Sequence, residues 1–523
     1  MSTHGAVNTG YIVKTALIVA LGGFLMGFDA SVISGVIGFI EAEFELTKIQ
    51  LGWAVSSLTL AATLAMMAAG PLSDAYGRKR VLIVAAVTFA LSAIGSALAP
   101  SFWVLVVARM LGGFGVGAAL IIAPVYIAEI SPPEKRGQMV SFNQLNIVVG
   151  ISVAFFSNYL ILQLGSSEAA WAQSLGFGEH TWRWMLGVEA VPAVLYFFGL
   201  FLVPESPRWL VMQGRDAEAI PIMARATNEA HAAQELAEIK TSITSDAGAP
   251  KVPLRELFAP AMRLVLLIGV VIGIVQQITG INSVFFYAPL IFEQSGIGTD
   301  ASFVQAIFVG LINLVFTLVA MALIDRLGRK PLLVAGLTGI TLSMAVLAFG
   351  FYSATYTLDP EALSLPEDVP AGQIATLSGQ TFQGDIDYKN ALRDTFGEEL
   401  ANQYESEFIT AAISMNPLLV LFGILGFVAS FAISLGPVMW VLFSELFPNR
   451  VRGLAISFVG LINSAVSFLV QLVFPWELAN LGSALTFLIY GVFAFLGLIF
   501  VISVLPETKG KSLEELETLL VKT

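Results

Sequence analysis

Residues 74–79 read DAYGRK, and residues 325–330 read DRLGRK. Each follows a long apolar run and opens another, so one short charged turn occurs twice in the chain. A second pair of segments repeats in the same order: PVYIAEISPPEKRG at 124–137 and PVMWVLFSELFPNRVRG at 437–453. In both, a glutamate stands seven residues before an arginine, Glu129 before Arg136 and Glu445 before Arg452. PESPR at 204–208 and PETKG at 506–510 close the two copies. The chain is a duplication.

Composition identifies the medium in which the copies fold. Of 523 residues, 56% are hydrophobic and only 12% charged, and the mean hydropathy is +0.82. Soluble domains carry about 25% charged residues. Apolar stretches long enough to cross a hydrocarbon core of about 30 Å fall at roughly 14–38, 51–72, 81–99, 102–128, 139–163, 184–203, 263–292, 302–324, 331–352, 417–442, 452–475 and 482–505. They are numbered here as spans 1 to 12, six to each copy. The reading is an all-α membrane protein of twelve transmembrane helices in two pseudosymmetric halves, the plan of transporters built on internal repeats. The first span lacks the small-residue cleavage pattern of a signal peptide and is expected to be retained.

The chain divides into an N-terminal half (1–205), a linker with short helices (206–262), a C-terminal half (263–505) and a tail (506–523). In the linker, residues 216–243 have a helical pattern with one polar face, followed by the breaker DAGAP at 246–250. The halves differ in one place: Asp74 to Glu129 is 55 residues, whereas Asp325 to Glu445 is 120. The surplus falls at 353–416, between spans 9 and 10. That insertion has eleven acidic and two basic residues, a net −9 of the chain's −12. Its segment 390–413 reads as amphipathic helix. A solvated cap fits it, and a module binding a partner or a cation is the sharper alternative.

With the N-terminus in the cytoplasm, 21 of the 26 basic residues fall on that side. Lys48, Arg183, Lys389 and Arg393 then lie outside, and Arg109 lies within span 4. The positive-inside rule thus favours both termini in the cytoplasm. Cysteine is absent, which excludes disulfides and thiolate metal sites. His4, His180 and His231 are too scattered to form a metal centre, and no cofactor is expected. The GKS at 510–512 is not a phosphate loop, because Leu505 stands where that motif needs glycine, which disfavours an ATP-driven pump. A membrane enzyme is disfavoured too: the spans offer one acid–base pair and no histidine or cysteine nucleophile.

The repeated motifs, together with GFDASVISG (27–35), QQITGIN (276–282), FFYAP (285–289) and the PES/PET endings, resemble the sugar porter family of the major facilitator superfamily. The resemblance runs from about residue 11 to 520, leaving 353–416 outside it. It implies a monosaccharide substrate carried by alternating access, with protons and the lipid bilayer as the other partners and no nucleic acid. It also implies a multi-pass protein of a cell membrane, here a bacterial inner membrane, working as a monomer.

Asp74/Arg78 and Asp325/Arg329 each put a carboxylate and a guanidinium one helical turn apart, and Glu129/Arg136 and Glu445/Arg452 are spaced to bridge between spans and neighbouring helix ends. The bland reading is topology alone, since cationic residues gather at the cytoplasmic face of any membrane protein. The resemblance implies instead ion-pair latches that break when the cytoplasmic side opens.

A sugar needs groups that both donate and accept, plus an aromatic face for its C–H surface. The spans offer Gln144 and Asn146 in span 5, Gln276, Gln277 and Asn282 in span 7, Asn313 in span 8, Trp440 in span 10 and Asn463 in span 11. A single amide can be helix–helix glue; a set in lipid-crossing helices calls for a watery cavity. Gln276 and Asn282 sit some 120° apart on an ideal helix, so facing one cavity requires a break, for which Thr279-Gly280 is the obvious place. The resemblance implies sugar contacts at Gln144, Gln276, Gln277, Asn282, Asn313 and Trp440, and a gating aromatic at Tyr287. Three departures count against xylose and favour a hexose: Ile151 replaces a glutamine, Asn463-Ser464 replaces Gln-Trp, and Met26 stands where an aromatic is usual.

Asp29 interrupts the apolar LGGFLMGFDASVISGVIGF of span 1. It lies about 14 Å from the outer end of its span, and Arg109 roughly 10 Å below the same surface, so the two are placed at similar depth. A buried carboxylate is easier to protonate alone than beside an arginine, so making and breaking this contact would load and release a proton. The alternative is a permanent ion pair that only holds spans 1 and 4 together. In the resembled family, proton-driven members carry aspartate here and facilitators asparagine. The expectation is sugar uptake by proton symport, with a proton-independent facilitator or a transporter-like sugar sensor as alternatives.

Overall fold

A computed structural model describes residues 8–132, 135–247, 253–360, 371–448, 450–511 and 515–516. Among the described residues, twelve helices are long and apolar enough to cross a membrane: Thr9–Gly35, Lys48–Tyr76, Arg78–Ala97, Phe102–Ile130, Gln138–Gly165, Thr181–Phe201, Pro260–Glu293, Thr299–Leu327, Arg329–Tyr352, Pro417–Leu446, Arg452–Asn480 and Gly482–Val504. These are the twelve spans expected. A helix is the form in which a lipid-crossing segment can satisfy its own backbone hydrogen bonds. Large apolar side chains such as Leu195, Phe198, Phe349 and Phe422 are left exposed, as residues facing hydrocarbon can be.

The chain forms two compact units. Unit 1 comprises Met1–Ala30, Ser57–Ala154 and Arg183–Lys251, and unit 2 comprises Ser31–Ser56, Phe155–Trp182 and Val252–Thr523. Unit 2 therefore holds the later half of the chain together with the ends of spans 1, 2 and 5 that share a side with the insertion. This side is called the insertion end.

Within unit 1, span 1 crosses span 5 closely: a Cβ on Gly27 would strike the Ile147 carbonyl, and one on Gly150 the Phe24 carbonyl. Its apolar core gathers Leu25, Phe89, Tyr126, Tyr196 and their neighbours. The linker pattern at 216–243 resolves into two helices, Asp216–Ala226 and Glu229–Ala247, preceded by Pro207–Met212. The second starts where Asn228 Oδ1 accepts the His231 N–H at 2.9 Å. The last three residues of the DAGAP breaker lie outside the described residues.

Two spans of unit 2 are broken. Span 7 is interrupted between helices Arg263–Ile278 and Ile281–Glu293, where Gly280 adopts φ +91° and a Cβ would run into the Tyr490 ring. This is the break that the spacing of Gln276 and Asn282 requires. Span 10 is interrupted at Ser434, between Pro417–Ile433 and Leu435–Leu446.

The insertion is folded. Strands β1 (Thr355–Thr357), β2 (Thr381–Phe382) and β3 (Ile413–Ser414) make a small antiparallel sheet in the order β2-β1-β3. The segment read as one amphipathic helix forms part of three, Asp385–Phe396, Glu398–Gln403 and Glu405–Ala412, broken at Gly397 (φ +83°) and Tyr404. Tyr356, Tyr388, Leu392, Phe408 and Ile409 form its own apolar core.

Candidate functional site

In unit 1, Asp29 and Arg109 meet as their depths indicated. The Arg109 guanidinium donates to an Asp29 carboxylate oxygen and to the Asp29 carbonyl, the latter at 3.2 Å from both Nη atoms. Asp29 is 0% and Arg109 1% exposed, so the pair is removed from solvent. Gly112, one turn along the arginine's helix, makes room for it: a Cβ there would lie 2.6 Å from Asp29 Oδ2. Asp29 Oδ2 and Arg109 Nε have no hydrogen-bond partner among the described residues.

A third charge corrects the reading of one acid–base pair in the spans. Glu189, at the start of the second helical segment of span 6, is 2% exposed and close enough to feel both Asp29 and Arg109 electrostatically. Its Oε1 also lacks a hydrogen-bond partner. The sequence signal was available in WRWMLGVEAVPAV (182–194), an acid inside an apolar run. The buried group thus holds two acids and one base.

In unit 2 the amides of spans 7 and 11 bond to one another. Gln277 Nε2 donates to Gln276 Oε1 at 3.1 Å and to Asn463 Oδ1 at 3.3 Å. Asn463 Nδ2 donates to Gln276 Oε1 at 2.7 Å and to the Gly273 carbonyl at 2.8 Å. Asn282 Nδ2 donates to Gln277 Oε1 at 2.8 Å and to Ser467 Oγ at 2.6 Å. The break at Gly280 is what lets Asn282 reach back to Gln277.

Two residues of this set escaped the sequence reading, Ser467 and Gln471. Gln471 Nε2 donates to Ser467 Oγ at 2.8 Å, and the Gln471 carbonyl accepts the Tyr287 hydroxyl at 2.9 Å. Asn463, Ser467 and Gln471 recur every four residues, a polar stripe along one helix face that could have revealed them. The chain of contacts joins the amides to Tyr287, which sits at a kink with φ −126° and ψ 19°.

The other candidates stand apart from this network. Asn313 is buried in span 8. Trp440 is 48% exposed and packs edge-on against Phe443. Gln144 belongs to unit 1 and is exposed, and Asn146 donates to the Phe142 carbonyl of its own helix.

The charge clusters are built alike in the two units. Arg78 bonds Glu129 through Nε and Nη2 at 3.0 Å each and Asp74 at 2.7 Å. Arg329 pairs with Glu445 at 2.7 Å and with Asp325 at 3.3 Å. This corrects the sequence pairing of Glu445 with Arg452, whose Nε donates instead to the Phe447 carbonyl. The Arg136 side chain lies outside the described residues.

The PES and PET endings complete the same device twice. Ser206 Oγ donates to Glu129 at 2.5 Å, and Thr508 Oγ1 to Glu445 at 2.7 Å. The Glu205 carboxylate accepts the Lys79 N–H, and that of Glu507 the N–H groups of Arg329 and Lys330, capping spans 3 and 9 at their positive ends. Gly77 (φ +101°) and Gly328 (φ +98°) leave the space these two carboxylates occupy.

A family model for sugar (and other) transporters matches residues 15–361 and 404–520. The chain is 34% identical over 516 residues to an arabinose-proton symporter of Bacillus subtilis (strain 168), covering 98% of this chain and 96% of that one. It is 33% identical over 518 residues to a glucose transport protein of Synechocystis sp. (strain ATCC 27184 / PCC 6803 / Kazusa), covering 98% of each. Among solved structures, the inward open conformation of the xylose transporter XylE from E. coli matches with a TM-score of 0.73 and 31% identity, over 98% of this chain and 100% of that one. The motifs, the twelve spans and these likenesses agree: the chain is a multi-pass membrane protein of the sugar (and other) transporter family, on the major facilitator fold.

Proposed function

We propose that this transporter takes up a monosaccharide, a hexose, together with a proton by alternating access. The observation that carries the proton arm is the solvent-free group of Asp29, Arg109 and Glu189. With one more acid than base, it has a place to carry a proton, and Asp29 Oδ2 and Glu189 Oε1 have no hydrogen-bond partner among the described residues. Movement of Arg109 toward or away from Asp29 changes the ease of protonation, which links proton binding to conformation. The sugar arm rests on Gln276, Gln277, Asn282 and Asn463, whose mutual hydrogen bonds can be exchanged for bonds to hydroxyls. Asn313, Trp440 and, from unit 1, Gln144 are further contacts on this reading, and Tyr287 is the gate. The Arg78 and Arg329 clusters serve as latches at the cytoplasmic side. Both termini lie in the cytoplasm, the insertion outside, and the monomer suffices.

Hexose preference rests on Ile151, Asn463-Ser464 and Met26, and a glucose transport protein is among the relatives. The same Ile151 and Asn463 suit a carrier without proton coupling, the second reading. Both are tested by adding sugars to de-energised cells in weak buffer and recording external pH, in wild type and Asp29→Asn. Symport gives alkalinisation with the substrate sugar, lost in the variant while counterflow exchange persists. Sugar entry with no pH change in either protein would sink the proton arm.

A further inference from the structure

The family model leaves out residues 362–403, the middle of the insertion, yet the insertion bonds to the ends of spans 2, 7 and 12. Lys48, at the start of span 2, contacts Glu41 at 2.6 Å and Glu405 of the insertion at 3.0 Å. Glu405 also pairs with Lys389 at 3.0 Å, and Lys389 donates to Gln294, at the end of span 7, at 2.9 Å. Asp385 accepts the Ser483 N–H at 2.8 Å and so caps span 12. All of these residues belong to unit 2. The four charged side chains are between 2% and 17% exposed, two acids against two bases. Burial alone would push the Glu405 carboxyl up, but the charges of Lys389 and Lys48 and their hydrogen bonds outweigh it and hold Glu405 well below the usual carboxylate range.

We infer that the insertion is a working part of the transport cycle: Glu405 and Lys389 form an external clasp that holds Lys48, at the start of span 2, and through it Glu41, in the short helix Ile37–Glu43 after span 1, and thereby favours the state closed to the outside. Lys48 and Glu41 come from the first half of the chain, while Glu405, Lys389 and Gln294 come from the second. In a carrier that opens by moving one half against the other, this cluster must part for sugar to enter from that side. The cluster is largely removed from water. It is stable when every charge is paired and costly when one partner is missing. These are positioning residues, acting on access to the site and not on the sugar. The packing beneath the clasp is close as well: a Cβ on Gly52 of span 2 would strike the Leu472 carbonyl of span 11, and Trp53 packs edge-on against Phe468.

The inference rests on the proposed alternating access and orientation, and its test separates the two. The chain has no cysteine, so Leu51→Cys is a single reporter. Leu51 is 0% exposed and lies beside Lys48 and Glu405. Labelling by a membrane-impermeant maleimide is followed in intact cells and in inside-out vesicles, without sugar. Glu405→Gln, which leaves Lys48 and Lys389 without their shared acid, is expected to raise the labelling rate at least about fivefold, the lower end of typical couplings between sites. It should also lower the external KM for sugar by a similar factor, because more of the carrier is ready to bind from that side. Tyr388→Phe is the control for a loosened insertion, since it removes the hydroxyl bond to the Phe408 carbonyl and leaves the cluster intact. It should leave the labelling rate unchanged. Equal rates in wild type and Glu405→Gln, or equal acceleration by Tyr388→Phe, overturn the clasp. Labelling only in inside-out vesicles overturns the orientation, and the ratio of rates measured there still decides the clasp.

Discussion

The middles of the two units solve the problem of polar groups in lipid in opposite ways. In unit 1 the group is charged, with Asp29 bonded to Arg109, Glu189 within electrostatic reach of both, and three polar atoms without hydrogen-bond partners among the described residues. In unit 2 the group is neutral, with Gln276, Gln277, Asn282 and Asn463 each bonded to at least one other of the set. Yet at the ends carrying the repeated motifs the units are near copies, Arg78–Glu129–Ser206 in one and Arg329–Glu445–Thr508 in the other. The repeat is plain at those ends and absent from the two middles. On the proposed reading, the charged group with too few partners is the one that takes a proton. The web of amides is the one proposed to take up hydroxyls, and losing any one of its bonds leaves the others standing.

That contrast predicts unequal sensitivity. Arg109→Gln should have the largest effect, since it removes the base bonded to buried Asp29; breaking a buried pair costs about 3–5 kcal/mol. We expect a markedly lower melting temperature in detergent and loss of both accumulation and counterflow. Retention of counterflow at the wild-type rate would mean that Arg109 is no partner of consequence. Gln277→Ala should act more mildly on the protein and more selectively on transport. Asn282 keeps Ser467, and Asn463 keeps the Gly273 carbonyl and Gln276. The expected result is a half-saturation concentration raised about tenfold, near 1.4 kcal/mol, with a melting temperature close to wild type. Equilibrium sugar binding on purified protein checks it.

Much of this was legible in the residues. The spans follow from apolar length, and the Asp29–Arg109 pair from matched depth in two runs of opposite direction. The break at Thr279-Gly280 follows from an angular mismatch that a straight helix cannot satisfy. Glu189 was missed because one acid barely dents the average of a strongly apolar run. Pairing Glu445 with Arg452 failed for another reason. Spacing along the chain measures only local reach, whereas Arg329, remote in sequence, is brought to Glu445 by the packing of the spans. The insertion's single amphipathic pattern split at Gly397, whose φ of +83° ends a helix while leaving the apolar periodicity readable on both sides.

The smallest expected effect is the one that probes how the neutral web is joined to Tyr287, the proposed gate. Ser467 Oγ accepts from both Asn282 and Gln471, and the Gln471 carbonyl holds the Tyr287 hydroxyl. Ser467→Ala removes one acceptor and leaves two amide donors to find others, at a cost of about 0.5–1.5 kcal/mol. If the serine only fills space, equilibrium sugar affinity and exchange rate stay as in wild type. If it joins sugar occupancy to the gate, exchange at saturating sugar slows about threefold while equilibrium affinity changes by less than about twofold, because the coupling acts on Tyr287 and Asn282 retains Gln277. Gln471→Leu supplies the complementary arm. It cuts the bond to Ser467 but leaves the backbone carbonyl that anchors Tyr287, so it should slow exchange less than Ser467→Ala does. A Ser467→Ala loss as large as that of Arg109→Gln would break the comparison itself, since it would show the amide web to be as intolerant of a missing partner as the buried charges.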